Sequence, residues 1–400
     1  MKILFLTTQL PYPPVSGGVI KTWNLVKHWS SNELMLVCAL KEGEEKQLEE
    51  FREKVPRIKL FTSSFDRKRT PLNLLRSFFT APSLNVFRNY NKELEAKVKE
   101  WAPQCDLIFV DHYEMGQYAQ KAFGKPVILH EHNAEFVMWE RLAEIENNPL
   151  KKVLIKLEAS RIKRAEKMYA DNASVVFAAP NDIEELAAIG VDPKKLKPTY
   201  HLGEDFLLER PNLEYDQTEK ALLFVGTLTW EANVDGLLWF LNKIYPSVLK
   251  SHPDIHFYIV GKNPDPRLVS ICQKFDSIEL TGFVEDLEPY FKKARAFVIP
   301  LRFGSGIKVK LLNAMYRGIP IVTTPIGTEG LEVVSGRDLF CTQSEKEQVE
   351  AISILIDSKS QWESLRDHSR EIAKNYTWEK LLSDHDEVIN SLIVEKEKNK

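Results

Sequence analysis

Cysteine is scarce: four in 400 residues, Cys38, Cys105, Cys272 and Cys341, with no Cys-x-x-Cys pair. That excludes a disulfide framework and a cysteine-built zinc site, and the thiols read as reduced groups in a cytoplasmic protein. Long apolar runs are missing as well, and no stretch is long enough to cross a bilayer. The run Lys2-Ile3-Leu4-Phe5-Leu6 is too short for a leader and is followed by polar, proline-rich residues, so it reads as a buried first strand. Charge of one sign is in short supply. A formal net charge of −3 leaves no electrostatic footprint for nucleic acid. No Walker Gly-Lys-Ser/Thr occurs, and Gly304-x-Gly306-x-x-Val309 lacks the third glycine of a dinucleotide fingerprint, which argues against an NTPase and an NAD site.

What is present is an ordinary globular composition, 44% hydrophobic, with length for two or three domains. The most informative stretch is AFVIPLRFGSGIKVKLLNAMYRG, Ala296 to Gly318. An apolar run breaks at Arg302-Phe303-Gly304-Ser305-Gly306. Apolar residues then return at helical spacing (Ile307, Leu311, Leu312, Ala314, Met315), and Gly318 and Pro320 stop them. A second apolar run, Ile319 to Thr323, follows. The pattern is strand, glycine turn, helix, strand, the building block of a parallel sheet. Such a turn aims free N–H groups and the positive helix end at whatever lies over it. Lys308 and Lys310 sit in the first turns, where they oppose the dipole, so a bound anion is the expected compensation. A packing turn with no ligand is the plain alternative.

The rest of the chain alternates in the same way. Strands are expected at Ile3–Thr7, Leu34–Leu40, Ile58–Phe61, Leu107–Val110, Val127–Leu129 and Ser174–Ala178, with helices between. Gly17-Gly18 opens the first helix and lets a ligand approach the backbone, unless the loop is merely flexible. Polar residues stand at strand ends, Asp111-His112 and His130-Glu131-His132-Asn133, where open α/β sheets place ligands. His130 and His132 are expected to point apart, so no metal site is assigned; one histidine serving as a substrate contact or base is the better reading. Asp384-His385-Asp386 reads as surface charge on a last helix. After a linker at Pro198–Thr218 the chain starts again. ALLFVG echoes the first strand, and Ile255–Val260, Ile278–Leu280 and the Ala296 stretch follow. The expected fold is α/β, two doubly wound Rossmann-like domains facing each other across a cleft. Two basic stretches have open readings. Arg67–Arg88, with Leu74, Leu75, Phe78 and Phe79, is either a membrane-surface patch or a helix packed on the core. Lys151–Lys167 is a second basic helix whose partner could equally be solvent.

Taken in order, VGTLTWEANVDGLLWFL, FYIVGKNP, LTGFVEDLEPYF, VIPLRFGSGIKVKLLNAMYRGIPIVTT and Ile326-Gly327-Thr328-Glu329-Gly330-Leu331 resemble consecutive blocks of the family-4 retaining glycosyltransferases with the GT-B fold, in the subgroup that assembles polysaccharides and glycolipids. Gly17-Gly18 and His132-Asn133-Ala134-Glu135 fit as well. The resemblance implies an acceptor-binding domain, 1–210, rejoined by a helix at 376–400, and a nucleotide-sugar domain, 211–375. It implies a donor site of Gly226, Thr227, Asn233, Gly261, Lys262, Phe283, Val284, Arg302, Gly304, Ser305, Gly306 and Asn313. Lys308 is assigned to stabilise the leaving diphosphate and His132 to contact the sugar or orient the acceptor. Gly17, Gly18, His112 and Asn133 are assigned to the acceptor side. The implied reaction moves a sugar from a nucleotide-diphosphate sugar to a glycan, lipid-linked or protein-linked acceptor with retention, without metal or cofactor. The setting is cytoplasmic, with peripheral contact to the inner membrane face through Arg67–Arg88. Two positions depart from the family, which commonly has glutamates where Ser305 and Asn313 stand. The loop Gly226–Asn233 also lacks the basic pair of many members. A non-catalytic partner or a sugar-nucleotide epimerase on the same fold are the alternatives, and the missing glutamates favour the former.

Overall fold

The computed structural model describes all residues except 15–16, 66, 69, 120–123, 147, 305 and 399–400. The chain forms two compact units, Met1–Tyr200 with Leu381–Lys400, and His201–Lys380.

The first unit is built on a seven-stranded parallel sheet in the order β3-β2-β1-β4-β5-β6-β7. Its strands are β1 (Lys2–Thr7), β2 (Glu33–Leu40), β3 (Lys59–Ser64), β4 (Leu107–Asp111), β5 (Val127–His130), β6 (Val175–Ala178) and β7 (Leu196–Pro198). Central parallel strands are covered on both faces, which explains continuous apolar runs rather than alternation. Every β1 residue after Lys2 is buried, as is all of β4. The short β7 falls where a helix-to-linker transition is expected. It is an edge strand carrying Lys197 and Pro198, and such strands are kept short and charged, so their pattern is weak.

The second unit has a six-stranded parallel sheet in the order β10-β9-β8-β11-β12-β13. Its strands are β8 (Ala221–Val225), β9 (His256–Val260), β10 (Ile278–Gly282), β11 (Ala296–Ile299), β12 (Ile321–Thr323) and β13 (Phe340–Cys341). β13, only two residues long, was too short for any pattern.

Seven helices matter for function: α1 (Gly17–Trp29), α2 (Pro71–Thr80), α3 (Glu135–Ile145), α4 (Pro149–Asn172), α5 (Glu231–Trp239), α6 (Val309–Arg317) and α7 (Trp378–Lys398). α6 buries Leu311, Leu312, Ala314 and Met315. Gly318 ends it in the left-handed region at φ +77°, and the Ile319 N–H returns to the Ala314 carbonyl at 3.1 Å.

In α7 the reading of Asp384-His385-Asp386 as surface charge holds for Asp384, which is exposed, but not for His385 and Asp386. His385 is fully buried, 4.0 Å from the Phe177 ring. Asp386 accepts from Trp29 Nε1 at 2.7 Å and meets His28 Nε2 at 2.7 Å. His385 and Asp386 seat the last helix on the first unit, because a carboxylate can satisfy an indole N–H that burial would otherwise orphan.

Candidate active site

In each sheet the strand order reverses once, between β1 and β4 and between β8 and β11. Loops leave in opposite directions there and open a crevice at the strand C-termini. Several of the residues assigned from the sequence lie at these two places, whereas Phe283 and Val284 follow the edge strand β10.

At the first reversal, β1 ends at Thr7 and β4 at Asp111. Asp111 is fully buried. Its Oδ2 accepts from Thr7 Oγ1 at 2.8 Å and from Thr22 Oγ1, on α1, at 2.7 Å. Its Oδ1 meets His130 Nδ1 at 2.7 Å and His132 Nε2 at 2.8 Å. The two histidines therefore converge on one oxygen instead of pointing apart. Residues two apart in an extended chain share a face, and His130 ends β5 with His132 two residues beyond it. Asp111, His130 and His132 are thereby the described group able to hold a metal ion, with ligand atoms within 4.8 Å of one another. The spacings are those of hydrogen bonds, and a single carboxylate oxygen between two ring nitrogens acts here as an acceptor for both.

His112 completes the cluster. It has a positive φ of 76°, its Nδ1 lies 3.3 Å from Asp111 Oδ2, and its ring stacks on His132 with centroids 3.8 Å apart. Burial disfavours the charged ring, but Asp111 outweighs it and lifts His112 to about 9. Burial, with the charge on His112, pushes His132 down to about 4. Burial alone would raise the Asp111 carboxyl, yet His132 and His112 hold it well below the usual carboxylate range. Burial likewise holds His130 well below the usual histidine range, so the result is one carboxylate, one imidazolium on His112 and two neutral imidazoles. With Nε2–H given to Asp111, the neutral His132 keeps Nδ1 as its acceptor, and that nitrogen faces the start of α1. A Cβ on Gly18 would stand 3.3 Å from it, so glycine leaves the ring its place. Gly17 opens α1 and Asn133 is exposed beside His132.

Titration of the imidazoles by NMR is expected to find His112 protonated up to about 9 and His132 neutral down to about 4. A raised folded-state pKa stabilises below the unfolded value and the contribution fades as pH climbs through the folded one, so the His112 share disappears between about 6.5 and about 9. Ordinary values for both rings would refute the charge assignment.

At the second reversal, the loop after β8 meets the turn after β11. Gly261 ends β9 so close to this loop that a Cβ would lie 2.1 Å from the Gly226 carbonyl oxygen, so only glycine fits. Asn233 is not open to a ligand as the sequence suggested. Its Nδ2 donates to the Thr227 carbonyl at 2.9 Å, and its Oδ1 accepts from Lys310 Nζ at 2.6 Å. The half-buried Lys310 has its ammonium 4.3 Å from the centroid of the Phe224 ring, and desolvation of the ammonium together with Lys308 lowers it to about 7. Lysine 310, asparagine and loop backbone thus form one brace that fixes the Gly226–Asn233 loop.

Arg302 also has a partner inside the unit: it forms a two-point ion pair with Asp235 on α5, Nε to Oδ2 at 2.8 Å. Lys308, immediately before α6, is 95% buried. Its ammonium donates to the Gly306 carbonyl and lies 3.4 Å from Glu329 Oε2. The chain itself thus supplies an anion for the lysine at the helix start. Asn313 Oδ1 accepts from the Glu204 N–H at 2.8 Å, which spends that oxygen on the linker backbone. Gly304 and Gly306 take φ of 142° and 70°, while Ser305 lies outside the described residues. Thr227 and Lys262 are exposed, Val284 is half-buried, and Phe283 is 71% exposed. Trp230, which no sequence argument singled out, is half exposed with its ring beside Gly304. Thr7 and Thr22 were also missed, and Lys310, read from the sequence as a cation for a bound anion, holds Asn233 instead. The available signal was polarity at the ends of buried central strands.

Comparison with known proteins fits this geometry. HepE from Anabaena, solved with UDP and glucose, superposes with a TM-score of 0.66 over 98% of this chain and 100% of that one, at 16% identity. WaaG, a glycosyltransferase of lipopolysaccharide biosynthesis, gives a TM-score of 0.62 over 97% and 99%, at 13% identity. The chain has the GT-B fold. In that fold, residues 219–358 match the family described as Glycosyl transferases group 1. This stretch of the GT-B chain contains the second reversal and its glycine turn. A 44.6 kDa protein of the cps region of Klebsiella pneumoniae is 24% identical over 353 residues, 86% of this chain and 88% of that one.

Proposed function

We propose that the protein is a retaining, metal-independent glycosyltransferase that moves a sugar from a nucleotide-diphosphate sugar to a glycan or lipid-linked acceptor. The observation that carries this reading is the second sheet reversal: a glycine turn and a helix N-terminus with a buried lysine, inside the stretch that matches the group 1 family. Leaving of the nucleotide builds negative charge on the diphosphate. Lys308 and the first N–H groups of α6 are the positioned donors for it. The leaving phosphate takes the acceptor hydroxyl proton on the same face of the sugar, so no carboxylate nucleophile is required. In the first unit, His132 is the acceptor-side group, held neutral and in one orientation by Asp111. Gly17, Gly18, His112 and Asn133 belong to the same side. Gly226, Thr227, Gly261, Lys262, Phe283 and Val284 line the donor side, with Asn233, Arg302 and Asn313 supporting its loops. The first domain handles acceptor and the second handles donor, at the inner membrane face.

HepE has been solved with UDP and glucose, so UDP-sugars head the panel. A ligand that binds only the folded chain raises its melting temperature in proportion to the logarithm of concentration, by about 2.7 kcal/mol of stability at a hundred times Kd. Thermal shift and calorimetry with UDP-, GDP-, ADP- and dTDP-sugars are expected to show one base bound. A folded protein that binds none of them moves the reading to a non-catalytic partner, which the serine and asparagine at positions 305 and 313 favour.

A further inference from the structure

A tryptophan carries a large apolar ring and one N–H donor, and folds usually spend both. The chain has eight. Among the described residues, every tryptophan except Trp230 has a ring, a cation or a hydrogen-bond partner. Trp29, Trp362 and Trp378, for example, donate the indole N–H to Asp386, to the Arg295 carbonyl and to the Gly203 carbonyl. Trp230 is 45% exposed. It stands immediately before α5, yet its side chain makes no cap bond to that helix. Packing and capping therefore do not explain why an indole occupies this position.

Its place in the fold does. A Cβ built on Gly304 would meet Lys308 Cε at 3.7 Å, Ile326 Cγ2 at 3.8 Å and the Trp230 ring at 3.9 Å. The bare glycine is thus bordered on one side by the buried lysine and on another by an open aromatic wall. Phe303, the residue before it, is half exposed as well. The wall is presented from a fixed backbone, because the Thr227 carbonyl accepts from the Trp230 N–H at 3.3 Å and from Asn233 Nδ2 at 2.9 Å. The charged groups around it already have counter-charges inside the unit. Arg302 pairs with Asp235, Glu231 with Arg267 at 2.7 Å, and Lys308 faces Glu329.

We propose that Trp230 is the platform on which the donor's sugar ring lies, and that this sugar is an uncharged pyranose. The inference rests on the reading of the second reversal as the donor site. A pyranose shows C–H groups on its faces, and their weak positive charge suits the negative face of an indole. The sugar is joined to the diphosphate through a single oxygen. A diphosphate held at Lys308 and the N-terminus of α6 therefore brings the sugar ring beside the glycine that the indole borders. An acidic sugar would set its carboxylate against the negative ring face, in a place where the nearby cations already face carboxylates. Trp230 thus sorts donors by their sugar and leaves the nucleotide to other residues.

The test is calorimetry of the full chain with UDP, GDP, ADP and dTDP, each bare and as its glucose conjugate, on wild type, Trp230→Ala and Trp230→Phe. For the base that binds, Trp230→Ala should weaken the glucose conjugate about tenfold and change the bare diphosphate less than about twofold. Trp230→Phe keeps an aromatic face and should recover most of that loss. With the wild type, the matching glucuronic acid conjugate should bind more weakly than the glucose one. The indole has no partner and caps nothing, so melting temperatures of the variants should match the wild type. Equal losses for bare and sugar-bearing ligands, no loss for either, no recovery with phenylalanine, or a glucuronic acid conjugate held as tightly as glucose would each overturn the platform alone. A folded wild type that binds none of the four diphosphates, bare or conjugated, refutes the donor reading itself, and the platform with it.

Discussion

Lys308→Ala is expected to lower kcat for sugar transfer by about 10²–10³, or ~3–4 kcal/mol of barrier, the size seen when one preorganised donor to a developing charge is removed. The reason lies in how the lysine is held. Its side chain is 4% exposed, and its ammonium is fixed by the Gly306 carbonyl and by Glu329 at 3.4 Å. A charge already desolvated and oriented needs little reorganisation as the diphosphate develops its own. Asn313→Ala is the comparison. It removes an uncharged acceptor from the Glu204 N–H, a bond of 2.8 Å, and should cost roughly 1 kcal/mol of stability with little effect on kcat. Steady-state kinetics on both variants decide the matter. Equal losses in the two would remove Lys308 from the chemistry.

Asp111→Ala should destabilise the protein by about 3–5 kcal/mol, measured by urea denaturation. The buried carboxylate is the common partner of Thr7, Thr22, His130 and His132. Deleting it leaves the Thr7 hydroxyl and two ring nitrogens without their acceptor, leaves Thr22 only the Gly18 carbonyl at 3.1 Å, and leaves the cation on His112 without its counter-charge. Asp111→Asn keeps the volume but not the charge, so the His112 pKa should fall back towards the ordinary histidine range. Thr22→Val, which loses one bond, sets the scale at about 1 kcal/mol. Wild-type stability in Asp111→Ala would show that the cluster does not organise the end of β4.

Much of the donor side was readable because it is local. β11, the glycine turn and α6 lie within one stretch of 22 residues, Ala296 to Arg317. An apolar run, a φ-permissive break and a 3.6-residue period are written by neighbours in sequence. The parallel sheets followed from the repeated alternation. What failed to show was who meets whom. Arg302 was assigned to a ligand and instead pairs with Asp235, 67 residues away. Asp384-His385-Asp386 looked like solvent-facing charge, since a helical period cannot say that Trp29, 357 residues earlier, supplies an N–H to Asp386. The same holds for Lys310, whose place under the loop depends on Asn233.

The sequence by itself therefore determined most of the elements and the parallel character of the sheets, because propensity, period and turn chemistry act over a few residues. Tertiary structure alone decided the electrostatics. Whether a histidine is charged, a lysine neutralised or a carboxylate shared depends on burial and on partners brought together from distant strands, and both terms are set only when the sheets close. Asp111 and Thr7 are 104 residues apart and 2.8 Å from each other. No local pattern encodes that distance, yet it fixes the state of every histidine around it.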